Sequence, residues 1–238
     1  MSYIPKIISQ TVTPNPLPVM PRGTSANSVD YFAKLKNYII MWTNQDINAM
    51  FLYKKVDGIL KYVKTLPCNG CIIPIPLGNN DAFVTKDNKN GSITLNFIDP
   101  ATDEVTQTNV CVSTATDNTY NTYHMDVIDG VIYIAAVEAT AIFLYTGTVN
   151  ITNKTVSFVK KTILTGQTAP VVLSSFVMYT PAAFSIKFTA NATACAYTCT
   201  ISGTTITPTS LTGVCTCNPP ILATSNLTMS HIHTTNGV

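Results

Sequence analysis

The chain has 238 residues, of which 46% are hydrophobic and only 11% charged, with a formal net charge of +2. That length buries a sizeable core, as one all-β domain or as two smaller ones. Arg22 is the sole arginine and no basic stripe interleaved with aromatics occurs, which leaves no case for nucleic acid as a partner.

Residues 1–23 carry Pro5, Pro14, Pro16, Pro18 and Pro21. Proline removes backbone donors and fixes φ, so this arm cannot be helical and favours extended or polyproline structure. It reads either as a disordered tail or as an arm laid on a neighbouring subunit, with Tyr3-Ile4 and Ile7-Ile8 as apolar anchors. Pro5 and Lys6 interrupt any apolar region after Met1, so no secretory signal is read there. Residues 24–36 are expected to form a short helix. Asn27 or Ser28 would cap it, Asp30 suits its first turn, and Val29, Phe32 and Leu35 fall on one side.

From residue 37 to 238 the pattern changes to short β-rich runs. Ala49-Met50-Phe51-Leu52-Tyr53 is echoed by Ala141-Ile142-Phe143-Leu144-Tyr145, each preceded by an apolar run and followed by a turn and a Lys-bearing strand. Ile93-Thr94-Leu95-Asn96-Phe97 and Phe184-Ser185-Ile186-Lys187-Phe188 are weaker copies. The spacing, roughly 45 residues, is that of a supersecondary unit stacked on its neighbours. Asp57-Gly58, Asn90-Gly91, Asp129-Gly130 and Ser202-Gly203 are hairpin-turn signals. Together they predict units over 37–77, 80–120, 124–168 and 171–209, with 211–235 left over.

The predicted fold is therefore an all-β, small β-propeller of about five blades, the last completed by an N-terminal strand around Ile4–Val12. Two β-sandwich or jelly-roll domains are the alternative. Phe51 and Phe143 are expected at equivalent buried positions. Val127 to Tyr145, the most apolar span, contains Asp129, Gly130 and Glu138 and reads as strands rather than a membrane helix.

Seven cysteines offer chemistry. Cys68-Asn69-Gly70-Cys71 has the spacing of a zinc knuckle or redox dithiol, but a second pair lies far off in sequence and no βαβ context surrounds it. Cys195 and Cys199 share one face of a strand, as do Cys215 and Cys217, so two adjacent strands are expected to be cross-linked by two disulfides. Cys68 then joins Cys71 or stays reduced, and Cys111 is a buried apolar residue. His231-Ile232-His233 is half of a metal site without an acidic neighbour, and reads as a terminal strand. No metal or cofactor is expected.

A glycosidase needs two or three acids facing one cleft. Glu104 and Glu138 are the only glutamates, and Asp81 and Asp126 precede comparable strands in two units. Either pair member reads as a channel-lining acid or as a turn cap. No phosphate loop, nucleophile elbow or HExxH is present, and no catalytic residue is assigned. Sequons at Asn90, Asn150, Asn153, Asn191 and Asn226 are glycosylation candidates, most of them at predicted turns.

Beyond Lys161 the only charged side chain is Lys187. A surface so neutral is either covered by partner subunits or glycans, or works in acid, where carboxylates are protonated anyway. Low charge, Thr/Asn-rich β repeats, a Pro-rich start, paired cysteines and many sequons together resemble virion proteins of thermoacidophilic archaeal (Sulfolobus) viruses, of the tail or turret type. The resemblance is one of style over the whole chain and carries no motif. It implies a non-enzymatic structural virion component in an extracellular particle, a homo-oligomer contacting other virion proteins and a host surface glycan or protein. The alternative is a carbohydrate-binding or glycoside-hydrolase-like small propeller.

Overall fold

The structure, a computed structural model, describes residues 31–43, 49–67, 71–87, 92–111, 123–167 and 169–211. All regular structure in them is β-strand, arranged as four antiparallel sheets whose strands follow chain order. Sheet one holds β1 (Tyr31–Lys34), β2 (Tyr38–Thr43), β3 (Ala49–Val56) and β4 (Ile59–Pro67). Sheet two holds β5 (Cys71–Pro76), β6 (Ala82–Asp87), β7 (Ser92–Ile98) and β8 (Val105–Cys111). Sheet three holds β9 (Tyr123–Ile128), β10 (Val131–Glu138), β11 (Ala141–Asn150) and β12 (Thr155–Leu164). Sheet four holds β13 (Val171–Thr180), β14 (Ala183–Ala190), β15 (Thr193–Ser202) and β16 (Thr205–Ser210).

The first strands are neighbours: β1 lies by β5, β5 by β9 and β9 by β13. Four up-and-down sheets sharing an inner line of first strands make a propeller-like fold, not a pair of sandwiches. The expected fifth blade over 211–235, the Ile4–Val12 strand and the arm over 1–23 lie outside the described residues, apart from Leu211.

Sheets join face to face through apolar seams. Leu52, Ile40 and Trp42 of sheet one meet Phe83 and Ile98 of sheet two. Val84, Leu95 and Phe97 meet Ile132, Ile134 and Ala136 of sheet three. Ala135, Leu144 and Tyr133 meet Phe184, Ile186 and Phe188 of sheet four. Each strand of the interior is thus apolar on both faces, which is why six consecutive residues of β10, Ile132 to Val137, are buried instead of alternating.

Polar tethers repeat outside these seams, each joining one sheet to the third-to-fourth-strand turn of the next. Lys54 donates to the Pro100 carbonyl at 2.8 Å and to Asp103 at 2.7 Å. Lys154, in the β11–β12 turn, donates to Thr106 of β8 at 2.8 Å. Lys161 donates to the Gly203 carbonyl of the β15–β16 turn at 2.7 Å.

Three expectations need correction. The helix over 24–36 is not formed where it is described: Tyr31–Lys34 is β1, with Phe32 opposite Met41 and Ala33 opposite Ile40. Ala33 and Leu35 are buried while Lys34 and Lys36 are exposed, a period of two that pairing with β2 imposes over the weak helical stripe. Residues 71–77, assigned to the first unit, carry the first strand of sheet two. The fourth echo, Phe184 to Phe188, falls on the second strand of its sheet, whereas the other three fall on third strands.

The strongest echo is structural. Phe51 on β3 faces Met41 and Thr65, and Phe143 on β11 faces Ala136 and Thr162. Both third strands also carry a register shift against the fourth, after Leu52 and after Ile142. Burial differs: Phe51 is fully buried, while Phe143 is half-buried beneath the Lys160 ammonium, 3.8 Å from its ring centre. Span 127–145 lies in β9, β10 and β11, as strands.

Candidate functional site

The first strands of sheets one to three end together, at Lys34, Pro76 and Ile128, and the turns that follow surround a cleft. Its volume is about 530 Å³, and Leu35, Ile75, Pro76 and Val127 line it together with Lys34, Asn79 and Asp129. The turns are locked to one another. The Asp81 carboxylate accepts from the Asn37 backbone at 2.7 Å and from its amide at 2.6 Å, and Lys36 N–H donates to the Asn80 carbonyl at 3.3 Å. Gly78 and Gly130 meet back to back, at φ +64° and +78°, conformations that L side chains rarely adopt. A side chain at either would also project against the other turn, 3.7 Å away.

The carboxylates expected to be candidates for a channel are engaged in seams. Asp81 holds sheet one as described. Asp126 accepts from Val127 N–H at 2.8 Å and from Met178 N–H of β13 at 3.0 Å, joining sheets three and four. Burial raises the Asp126 carboxyl above its ordinary range, opposed by the two N–H donors. Asp103 accepts from Tyr38 Oη at 2.5 Å and from Lys54; these hydrogen bonds hold it low, while burial and that carboxylate push Tyr38 far up. Glu138 receives Tyr145 Oη and Lys160 Nζ, and Glu104 pairs with Lys64 at 3.2 Å. Neither Asp81 nor Asp126 is among the residues that line the cleft.

A second cluster lies deeper, between sheets two, three and four. Lys86 is 8% exposed; its ammonium donates to the Tyr123 carbonyl at 2.6 Å and sits 4.0 Å from the Tyr123 ring centre. Burial pushes this amine down to about 8. His124 on β9 lies 3.4 Å from the Leu173 carbonyl through Nε2, and burial followed by the Lys86 charge lowers its pKa. Neither residue was singled out by sequence reading. A lysine at the end of an apolar strand, Phe83 to Lys86, is the signal that was available.

The expected partners of Cys195 and Cys199, Cys215 and Cys217, lie outside the described residues. Cys195 and Cys199 share a face of β15, opposite Phe188 and Phe184, and neither is bonded to another described cysteine. The residue opposite Cys199 on β16 is Pro208, and no cysteine occupies the adjacent strand. Cys68 and the His231–His233 pair also lie outside the described residues; Cys71 opens β5 and Cys111 closes β8, both in sheet two. Asn150, Asn153 and Asn191 are exposed, the first at the end of β11, the second in the β11–β12 turn and the third in the β14–β15 turn. Asn90 and Asn226 lie outside the described residues. Among those residues no three His, Cys, Asp or Glu side chains gather as a metal site.

The second face of sheet four is the other distinctive surface. Thr198 pairs with Thr209, Thr200 with Thr207 and Ser202 with Thr205, and all six are exposed. Val172 extends this face at 38% exposure, and half-buried Lys187 is its one charge.

No protein-family model matches the chain, and no curated protein matches it. Among solved structures, a β-propeller-type protein from Lactobacillus plantarum is similar in fold, with a TM-score of 0.50 at 15% identity. The match covers 77% of this chain and 54% of the bacterial one, so the chain spans about half the length of that neighbour.

Proposed function

We propose that the protein is a non-enzymatic assembly and attachment subunit of an extracellular particle, a tail- or turret-type virion component that works as a homo-oligomer. The observation that carries this reading is the Thr-paired second face of sheet four. Six exposed hydroxyl side chains and Val172 form a regular, uncharged surface on rigid strands. Depletion of charge is the mark of an interface core, and paired threonines order the surface without hydration by ions. The engaged carboxylates add support, since the acids a hydrolase would use serve as inter-sheet fasteners.

Light scattering of the full chain and of a Thr198→Lys/Thr207→Lys variant, at matched concentration, tests the reading. The parent is expected to assemble and the variant to dissociate with an unchanged thermal midpoint. A monomeric parent overturns it.

A second reading, carbohydrate binding on a small propeller, is favoured by the cleft at the ends of β1, β5 and β9. It accounts for a built concavity that assembly through sheet four leaves unused. Binding of any sugar by the isolated chain supports it.

A further inference from the structure

We infer that the cleft takes a neutral sugar, a single hexose or the end of an oligosaccharide; this rests on the carbohydrate-binding reading and names its ligand class. The polar side chains around the cleft divide into two sets. Asn37, Asn80 and Asp81, in the turns that surround it, are all engaged: Asp81 with Asn37, and Asn80 with the Leu77 carbonyl at 3.0 Å. They build the walls. Lys34, Asn79 and Asp129 line the same space, are exposed, and make no side-chain hydrogen bond or ion pair to a described residue.

This division is what a binding site requires. The walls are fixed before a ligand arrives, so little conformational entropy is lost on binding. The three side chains left over offer complementary chemistry: an ammonium that donates, a carboxylate that accepts from two hydroxyls, and an amide that does both. Vicinal hydroxyls satisfy all three at once. Leu35, Ile75 and Val127 supply an apolar floor for the C–H face of a pyranose. One cation and one anion leave the lining without net charge, so an acidic sugar meets Asp129 and gains nothing overall. A zwitterionic amino acid would have to rely on two solvent-exposed ion pairs, which contribute little. The volume, about 530 Å³, suits a small ligand held individually.

The test uses the full chain with methyl β-glucoside, methyl α-mannoside and lactose as neutral probes, and glucuronate and L-alanine as comparators. Saturation-transfer NMR and calorimetry read binding, and thermal melts confirm that Asn79→Ala and Asp129→Asn variants remain folded. At least one neutral probe is expected to bind saturably, with affinity reduced about tenfold or more in each variant. Equal affinity in the variants, or binding of glucuronate alone, overturns the inference while leaving carbohydrate binding intact. Binding of no sugar, or of L-alanine alone, overturns both.

Discussion

Asp81 and Asn37, 44 residues apart, are joined twice, through the backbone N–H at 2.7 Å and the side-chain amide at 2.6 Å. One carboxylate thereby fixes the turn after β1 to the turn before β6. Hydrogen bonds to a charged group stabilise by about 1.5–3 kcal/mol each, less where solvent reaches them, as it does here. Asp81→Ala is expected to lower stability in urea by about 2 kcal/mol. Asp81→Asn, which keeps one acceptor, should lose about half as much. Equal losses for the two substitutions would show that the carboxylate charge, not its geometry, is what matters.

Lys86 makes stability depend on alkaline pH. Its amine titrates at about 8 in the fold against 10.5 ordinarily, because burial disfavours the charge. Below pH 8 both folded and unfolded chains hold the proton, and the fold bears the whole cost of burying it. Between 8 and 10.5 the unfolded chain binds more protons, so stability rises with pH. The rise is on the order of 3 kcal/mol, reduced by the Tyr123 carbonyl and ring. Urea titrations of the parent and Lys86→Met at pH 7.5 and 10 read it directly. The gap between the two proteins should narrow at pH 10; parallel profiles would remove Lys86 from the account.

Gly147 is required by packing rather than by its dihedrals. A Cβ there would lie 2.5 Å from the Phe158 ring, which covers the glycine from the paired position on β12. Gly147→Ala is expected to cost about 1–3 kcal/mol by overpacking. Combining it with Phe158→Leu should recover part of that loss, a non-additivity that a double-mutant cycle measures. Strict additivity would mean the ring swings aside freely.

Cys199 should be inert in the folded protein. It is 2% exposed in the seam between sheets three and four, and burial pushes its thiol up to about 12. Iodoacetamide at neutral pH is expected to label Cys199 only on unfolding. Labelling of native Cys199 as fast as in urea would contradict the seam.

These seams also explain what was legible in the sequence. Asp57-Gly58 and Asp129-Gly130 announced their hairpins because both residues of each turn adopt positive φ, a demand few residue pairs meet. The AMFLY and AIFLY strands announced a repeated third strand because residues apolar on both faces recur there. The same composition misled at Phe184–Phe188, since second strands are equally enclosed and carry no mark of their order. Phe32 and Leu35 suggested a helix because four residues cannot distinguish the two periods until β2 is beside them. The fasteners were invisible for a different reason. Asp81 to Asn37, Asp103 to Tyr38 and Asp126 to Met178 span 44, 65 and 52 residues, and nothing local distinguishes such an aspartate from a turn cap. The cleft residues Lys34, at the end of β1, and Asn79, in the turn before β6, are brought together only by the inner line of first strands.

The lysine tethers have a mechanical consequence. Each joins a sheet to the turn of the very next sheet. Load applied along the chain is therefore passed from sheet to sheet in series, as in a linear array with nearest-neighbour coupling. Under tension such an array yields one sheet at a time, each release letting out roughly 130 Å of extended chain for about 40 residues. Pulled from its ends, the chain would then lengthen in steps and dissipate the load, where a rigid rod would transmit it whole.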